Sequence, residues 1–100
     1  MSRRNQLRII GGTHRRRLVT FPEHDGLRPT GDRVRETLFN WLQMSIDGAH
    51  CLDLFAGSGV LGFEALSRGA ASVTLLDRDA KVIANLRKNS EQLGFDKARI

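Results

Sequence analysis

A small-residue bend between an apolar strand and an apolar helix is the feature that most limits what this chain can become. Residues 51–55 form a compact, mostly apolar run interrupted by Asp53. Residues 56–59 form a glycine-rich turn, and residues 60–68 a helical run stopped by Gly69. A second apolar strand, residues 73–76, ends at Asp77. Gly57, Gly59 and Gly62 satisfy G-x-G-x-x-G, and Asp77 follows Gly57 by 20 residues. Glycines in that frame allow a tight turn and let a ligand approach the backbone. The acid can accept hydrogen bonds from ribose hydroxyls. The plainer alternative is a tight turn that needs small residues, with Asp77 as an ordinary strand-end cap.

The flanking pattern extends this unit in both directions. Asp79 caps a helix running to about Leu93, with Val82, Ile83, Leu86 and Leu93 inward and Gly94 as its stop. Residues 98–100 open a third strand. Strand, helix, strand, helix, strand predicts a parallel sheet with right-handed crossovers. Upstream, residues 7–10 and 18–21 read as a β-hairpin whose loop holds Gly11-Gly12 and the basic run His14, Arg15, Arg16, Arg17. Residues 22–31 contain both prolines and form a linker. A helix capped by Thr30 or Asp32 follows, with Val34, Leu38, Trp41 and Leu42 on the inward face and Arg33, Arg35, Glu36 and Asn40 mostly off it. On this pattern Trp41 is a core residue, and Asp47-Gly48 ends the segment. The organisation is a basic hairpin and linker over residues 1–27 and an α/β unit over 28–100. Two strands and the start of a third leave a doubly wound sheet unfinished, so these residues are expected to be the N-terminal part of a longer protein.

Asp53 discriminates among nucleoside ligands. It precedes Gly57 by four residues on the strand that feeds the turn, and is expected at the same crevice mouth as Asp77. A carboxylate there repels a pyrophosphate. S-adenosylmethionine carries no phosphate, and its sulfonium and ammonium outweigh its one carboxylate. Asp53 suits its methionine end and Asp77 its ribose, while N–H groups near Val60 suit its carboxylate. A strand carboxylate satisfied by loop N–H groups is the plainer account of Asp53.

Charge is concentrated at one end. Residues 1–35 hold 9 Arg against 3 acids, whereas residues 36–100 hold 7 bases against 8 acids. Arg presents a planar fork that matches phosphate oxygens and stacks on bases. A basic arm ahead of a near-neutral body suggests nucleic acid as partner; a solvated extension without a partner is the alternative. The lone Cys51 excludes a disulfide scaffold and, at the start of a strand, reads as an inert core thiol. No apolar run reaches the roughly 18 residues of a membrane span, and the Arg-rich start lacks the apolar stretch of a signal peptide. A reducing, cytoplasmic compartment follows. His14, His24 and His50 show no metal-ligand spacing with Cys51 or one another, so no metal site is expected.

The stretch from Leu52 to Gly62, LDLFAGSGVLG, resembles motif I of class I S-adenosylmethionine-dependent methyltransferases. The stretch from Arg28 to Leu42, RPTGDRVRETLFNWL, is more specific. Together with RIIGG (from Arg8) and EALSRGA (from Glu64), it is similar to the bacterial 16S ribosomal RNA guanine-N2 methyltransferase family. The resemblance runs from about Leu7 to Leu93. It implies a Rossmann-like fold behind a basic hairpin, a monomer, and RNA of the assembling small ribosomal subunit as substrate. It implies a donor held by Asp53, Gly57, Ser58, Gly59 and Asp77. Arg8, Arg15, Arg16 and Arg17 would grip phosphates, and Arg28, Thr30, Arg33 and Glu36 would form a mouth over the cofactor. A capped amphipathic helix with a solvated polar face explains the last four equally well.

Two departures stand out. The family carries an Asn/Asp-Pro-Pro-Phe/Tyr motif after its fourth strand, and no Pro-Pro occurs in this chain. The catalytic residues are expected beyond Ile100, and the 100 residues alone are not expected to turn over. Arg16 stands where relatives often have Gly. Two other functions remain open on sequence: an NAD-dependent oxidoreductase sharing the glycine fingerprint, and a non-catalytic RNA-binding or ribosome-assembly protein.

Overall fold

The computed structural model describes residues 6–21, 31–54 and 56–100. An antiparallel hairpin of β1 (Gln6–Arg8) and β2 (Leu18–Thr20) leads to α1 (Asp32–Ile46). The chain then alternates through β3 (His50–Asp53), α2 (Val60–Ser67), β4 (Ser72–Leu75), α3 (Ala80–Leu93) and β5 (Ala98–Arg99). The last three strands form one parallel sheet in the order β3-β4-β5. The α/β alternation expected from the sequence is therefore present; β4 is displaced by one residue from its apolar run at equal length, and the other strands are each one residue shorter than theirs.

Strand register sorts side chains onto two faces. Cys51 pairs with Val73 and Asp53 with Leu75, on the face that α2 covers. Gly62 makes that packing possible: a Cβ there would lie 2.4 Å from Leu75 Cδ2 and 2.8 Å from Val73 Cγ1. This is the close helix–strand approach that the third glycine of the fingerprint serves. On the opposite face Leu52, Leu54 and Leu76 are exposed, on the side that a doubly wound sheet covers with further helices. The core joins both parts of the chain: Ile9 and Val19 of the hairpin region are buried in one cluster with Phe39, Phe63, Val73 and Leu86.

Helix ends follow local chemistry. The Asp79 side chain accepts the Lys81 N–H at 2.9 Å, as an N-cap should, and Gly94 closes α3 at φ +72°. The cap of α1 differs from expectation. Gly31 occupies it in extended conformation, Asp32 lies in the first turn, and Thr30 falls outside the described residues.

The inward face of α1 also differs. Arg35, Phe39 and Ile46 are buried, with Leu38 and Leu42 packed against the core. Val34 and Trp41, expected inside, are 63% and 79% exposed, and Trp41 is not a core residue among the described contacts. The helix is rotated by one residue from the apolar count. That rotation places a guanidinium on the buried face, where Glu64 receives it. A hydrophobic periodicity scores Arg35 as an outward residue because it cannot see the partner.

Candidate functional site

The glycine turn is built by its own backbone. Ala56 N–H donates to the Leu76 carbonyl at 2.9 Å, tying the turn to the end of β4, and Gly59 N–H donates to the Ala56 carbonyl at 2.8 Å. Gly57 and Gly59 both lie at positive φ, +54° and +82°, a region in which glycine carries no Cβ penalty. Ser58 is buried, and its Oγ accepts the Val60 N–H at 3.3 Å, so this hydroxyl helps start α2.

Asp77 is brought directly against the turn. Its Oδ2 accepts the Gly57 N–H at 3.2 Å and its Oδ1 accepts the Asp79 N–H at 3.0 Å. An ionised carboxylate has about four acceptor sites, so two backbone donors leave room for hydroxyl donors. Beside it, Leu54, Leu76, Asp77 and Arg78 line an open cavity of about 540 Å³ at the C-terminal ends of β3 and β4. That is where open α/β sheets take their ligands, and the volume falls within the range of small-molecule sites. Two leucines, one carboxylate and the Arg78 side chain make a lining that suits a nucleoside: a flat base on the leucines, a ribose on the acid.

Asp53 is placed differently. It is half-buried on the helix-covered face of β3 and lines an apolar cleft of about 230 Å³ with Phe39, Leu42, Cys51, Leu61 and Ala65. The single crevice expected for both acids is resolved into two cavities, one per acid. Neighbouring Cys51 is free and half-buried, and burial pushes its thiol above the usual cysteine value, which lowers the share of thiolate.

The basic residues gather on the hairpin. Arg8 on β1 and Arg15, Arg16 and Arg17 in the connecting loop are exposed. Arg16 adopts φ +73°, the one described non-glycine residue in the left-handed region. The loop turns there in a conformation that glycine adopts without strain. Arg33 and Glu36 are exposed on the first turns of α1, and neighbouring Asp32 lines a cavity with Gln6, Leu7, Arg8 and Leu18. The start of α1 thus lies beside the hairpin. Arg28 lies outside the described residues, as Thr30 does.

Sequence reasoning missed the polar residues that join these parts. Arg35 and Glu64 are both 0% exposed. Glu64 was visible as the single charged residue of the helix VLGFEALS, four residues before Arg68. No cluster of three or more potential metal ligands occurs among the described residues, and no described helix is long and apolar enough to cross a membrane.

The family model described as Conserved hypothetical protein 95 matches residues 7–100. The chain is 57% identical over 95 residues to Ribosomal RNA small subunit methyltransferase D of Escherichia coli strain K12, covering 95% of this chain and 48% of that protein. It is 54% identical over 90 residues to the protein of the same name from Haemophilus influenzae, covering 90% and 47%. A solved structure from Escherichia coli superimposes with a TM-score of 0.86 at 53% identity, covering 94% of this chain and 50% of that one. The chain spans about half the length of the curated relatives it matches. The fold it shares with that solved structure is Rossmann-like, of the class I methyltransferase type.

Proposed function

Because the chain belongs to the family described as Conserved hypothetical protein 95, we propose that the whole protein methylates ribosomal RNA of the small subunit. Its substrate atom is the exocyclic N2 of a guanine in 16S RNA, and its methyl donor is S-adenosylmethionine. The observation that carries this reading is the Asp77 carboxylate, held by the Gly57 N–H beside an apolar cavity at the sheet's C-terminal end. The relatives named as ribosomal RNA methyltransferases support it over a nicotinamide enzyme.

The residues present fit the donor. Asp77 would accept the ribose hydroxyls, Leu54 and Leu76 would flank the base, and the turn from Gly57 through Ser58 to Gly59 would let the ligand approach the backbone. Asp53, at the end of β3 just before the turn, would add negative charge toward the cationic methionine end. The bound donor supplies an already activated methyl group, so the protein's share is orientation and electrostatics. Arg8, Arg15, Arg16 and Arg17 would hold phosphates, and Arg33 and Glu36 would flank the entrance with Arg28 and Thr30. The guanine must leave its stack to reach the site. Acceptors for the amine hydrogens would localise its lone pair toward the methyl group. We place these acceptors in the part of the relatives' length that this chain does not span.

The full-length protein, given donor labelled in its methyl group and unmodified small subunits, should place label on N2 of one guanine after nuclease digestion. Donor binding without label in RNA would instead favour a non-catalytic RNA-binding or assembly protein. Tighter binding of NADH than of S-adenosylhomocysteine by calorimetry would overturn the donor assignment.

A further inference from the structure

Between the arginine loop and the glycine turn lies a buried charge cluster that neither donor binding nor phosphate binding uses. Glu64 stands in the middle of α2, and four donors converge on its carboxylate. Oε1 accepts the Ile10 N–H at 2.9 Å and Arg35 Nη1 at 3.2 Å. Oε2 accepts the Gly11 N–H at 2.9 Å and Arg68 Nε at 2.9 Å. Arg35 Nη1 also donates to the Arg8 carbonyl at 2.8 Å, its Nη2 bonds Asp32, and the Arg68 guanidinium lies over the Phe39 ring. One carboxylate therefore ties α1, α2 and the end of β1 together.

One turn further along α2, Ser67 repeats the pattern. Its Oγ accepts the His14 N–H at 2.8 Å and donates to the Gly11 carbonyl at 2.5 Å, while its own carbonyl accepts the Thr13 N–H at 2.7 Å. The approach is so close that a Cβ on Gly12 would lie 1.8 Å from the Ser67 carbonyl oxygen. The other side of the hairpin is held by α3. Asn89 bonds both the N–H and the carbonyl of Thr20, Asn85 bonds that carbonyl again, and Arg17 Nη2 and His14 Nε2 reach the Gln92 and Leu93 carbonyls.

Presenting positive charge to RNA needs none of this; an exposed, flexible arm does it equally well. Burying an acid and a guanidinium is costly unless every lone pair and proton is matched, and the match made here yields fixed geometry. We propose that Glu64 is a positioning residue that sets the place of the arginine loop relative to the donor turn. The two anchor points share one rigid helix: α2 opens at Gly59 and reaches Glu64 after about 7 Å of rise. Phosphates gripped at Arg15, Arg16 and Arg17 are thereby registered against the cavity beside Asp77. The inference rests on the RNA methylation proposed above.

The test uses the full-length protein and two variants, Glu64→Gln and Ser67→Ala. The second removes two loop hydrogen bonds and leaves no unpaired charge, so it reports even if the first fails to fold. Both keep every loop arginine. The expected result is S-adenosylhomocysteine affinity within about twofold of the parent and an unchanged salt slope of subunit binding. Trypsin cleavage after Arg15, Arg16 or Arg17 should accelerate at least tenfold, and kcat/KM for the subunit should fall roughly tenfold or more for Glu64→Gln and threefold for Ser67→Ala. Parental cleavage rates in a folded variant would overturn the anchoring of the arginine loop by α2 without reference to activity. Faster cleavage with parental kcat/KM would overturn the positioning role. A parent that binds donor but labels no subunit would overturn the methylation reading, and the inference with it.

Discussion

The carboxylate of Asp77 closes the glycine turn on itself: Oδ2 receives the N–H of Gly57, 20 residues earlier in the chain, at 3.2 Å. One side chain thus shapes the turn and faces the cavity beside it. The two roles predict a double loss on substitution. In Asp77→Asn the amide NH₂ replaces an acceptor opposite a backbone N–H, and the remaining oxygen is neutral. Hydrogen bonds to charged groups contribute about 1.5–3 kcal/mol, so S-adenosylhomocysteine affinity in the full-length protein should weaken by roughly ten- to a hundredfold. Asp53→Asn should weaken it less, because Asp53 lines the neighbouring cleft. Titration calorimetry checks both. Two variants with parental affinity would show that the carboxylates play no part in holding the cationic donor.

Gly62 sets the distance between α2 and the sheet. Replacing it with Val inserts three carbons where even a Cβ meets Leu75 at 2.4 Å. Overpacking of this kind costs about 1–3 kcal/mol. Urea unfolding should show the midpoint falling with an unchanged slope, and donor affinity should fall with it because α2 begins at the turn.

Arg16 holds a left-handed conformation at φ +73°. A side chain there costs about 1–2 kcal/mol, while added glycine freedom in the unfolded chain offsets about 0.4–1 kcal/mol. Arg16→Gly is therefore expected to raise stability by about 0.5 kcal/mol. If Arg16 contacts a phosphate, the same variant should reduce the slope of log affinity against log salt for RNA by about 0.7–0.9. A more stable protein with an unchanged slope would remove Arg16 from the grip and keep the backbone account.

Burial raises the Cys51 thiol above its ordinary value. A raised value leaves less thiolate at any given pH, and thiolate is the nucleophile. Iodoacetamide should therefore label Cys51 more slowly in the folded protein than in urea at pH 8, with the gap widening toward neutral pH. Equal rates would show that the thiol is solvated.

Motifs with short-range causes were legible before the structure. The turn at Gly57 and Gly59, the stop at Gly94 and the cap at Asp79 depend on neighbours a few residues away. Alternating apolar runs were enough to imply a parallel α/β sheet. Even the departure at Arg16 was visible as a missing glycine, though its left-handed backbone was not.

What the tertiary structure alone decided is which way polar groups face. Trp41 continues an apolar stripe from Val34, yet it points outward, and Arg35 beside that stripe points inward. The deciding partner, Glu64, lies 29 residues away, and the loop amides that complete its coordination lie more than 50 residues away. Periodicity measures only the transfer of each side chain from water. It has no access to the Coulomb and hydrogen-bond energy that a distant carboxylate supplies, and here that energy sets the rotation of a helix and the seat of the hairpin.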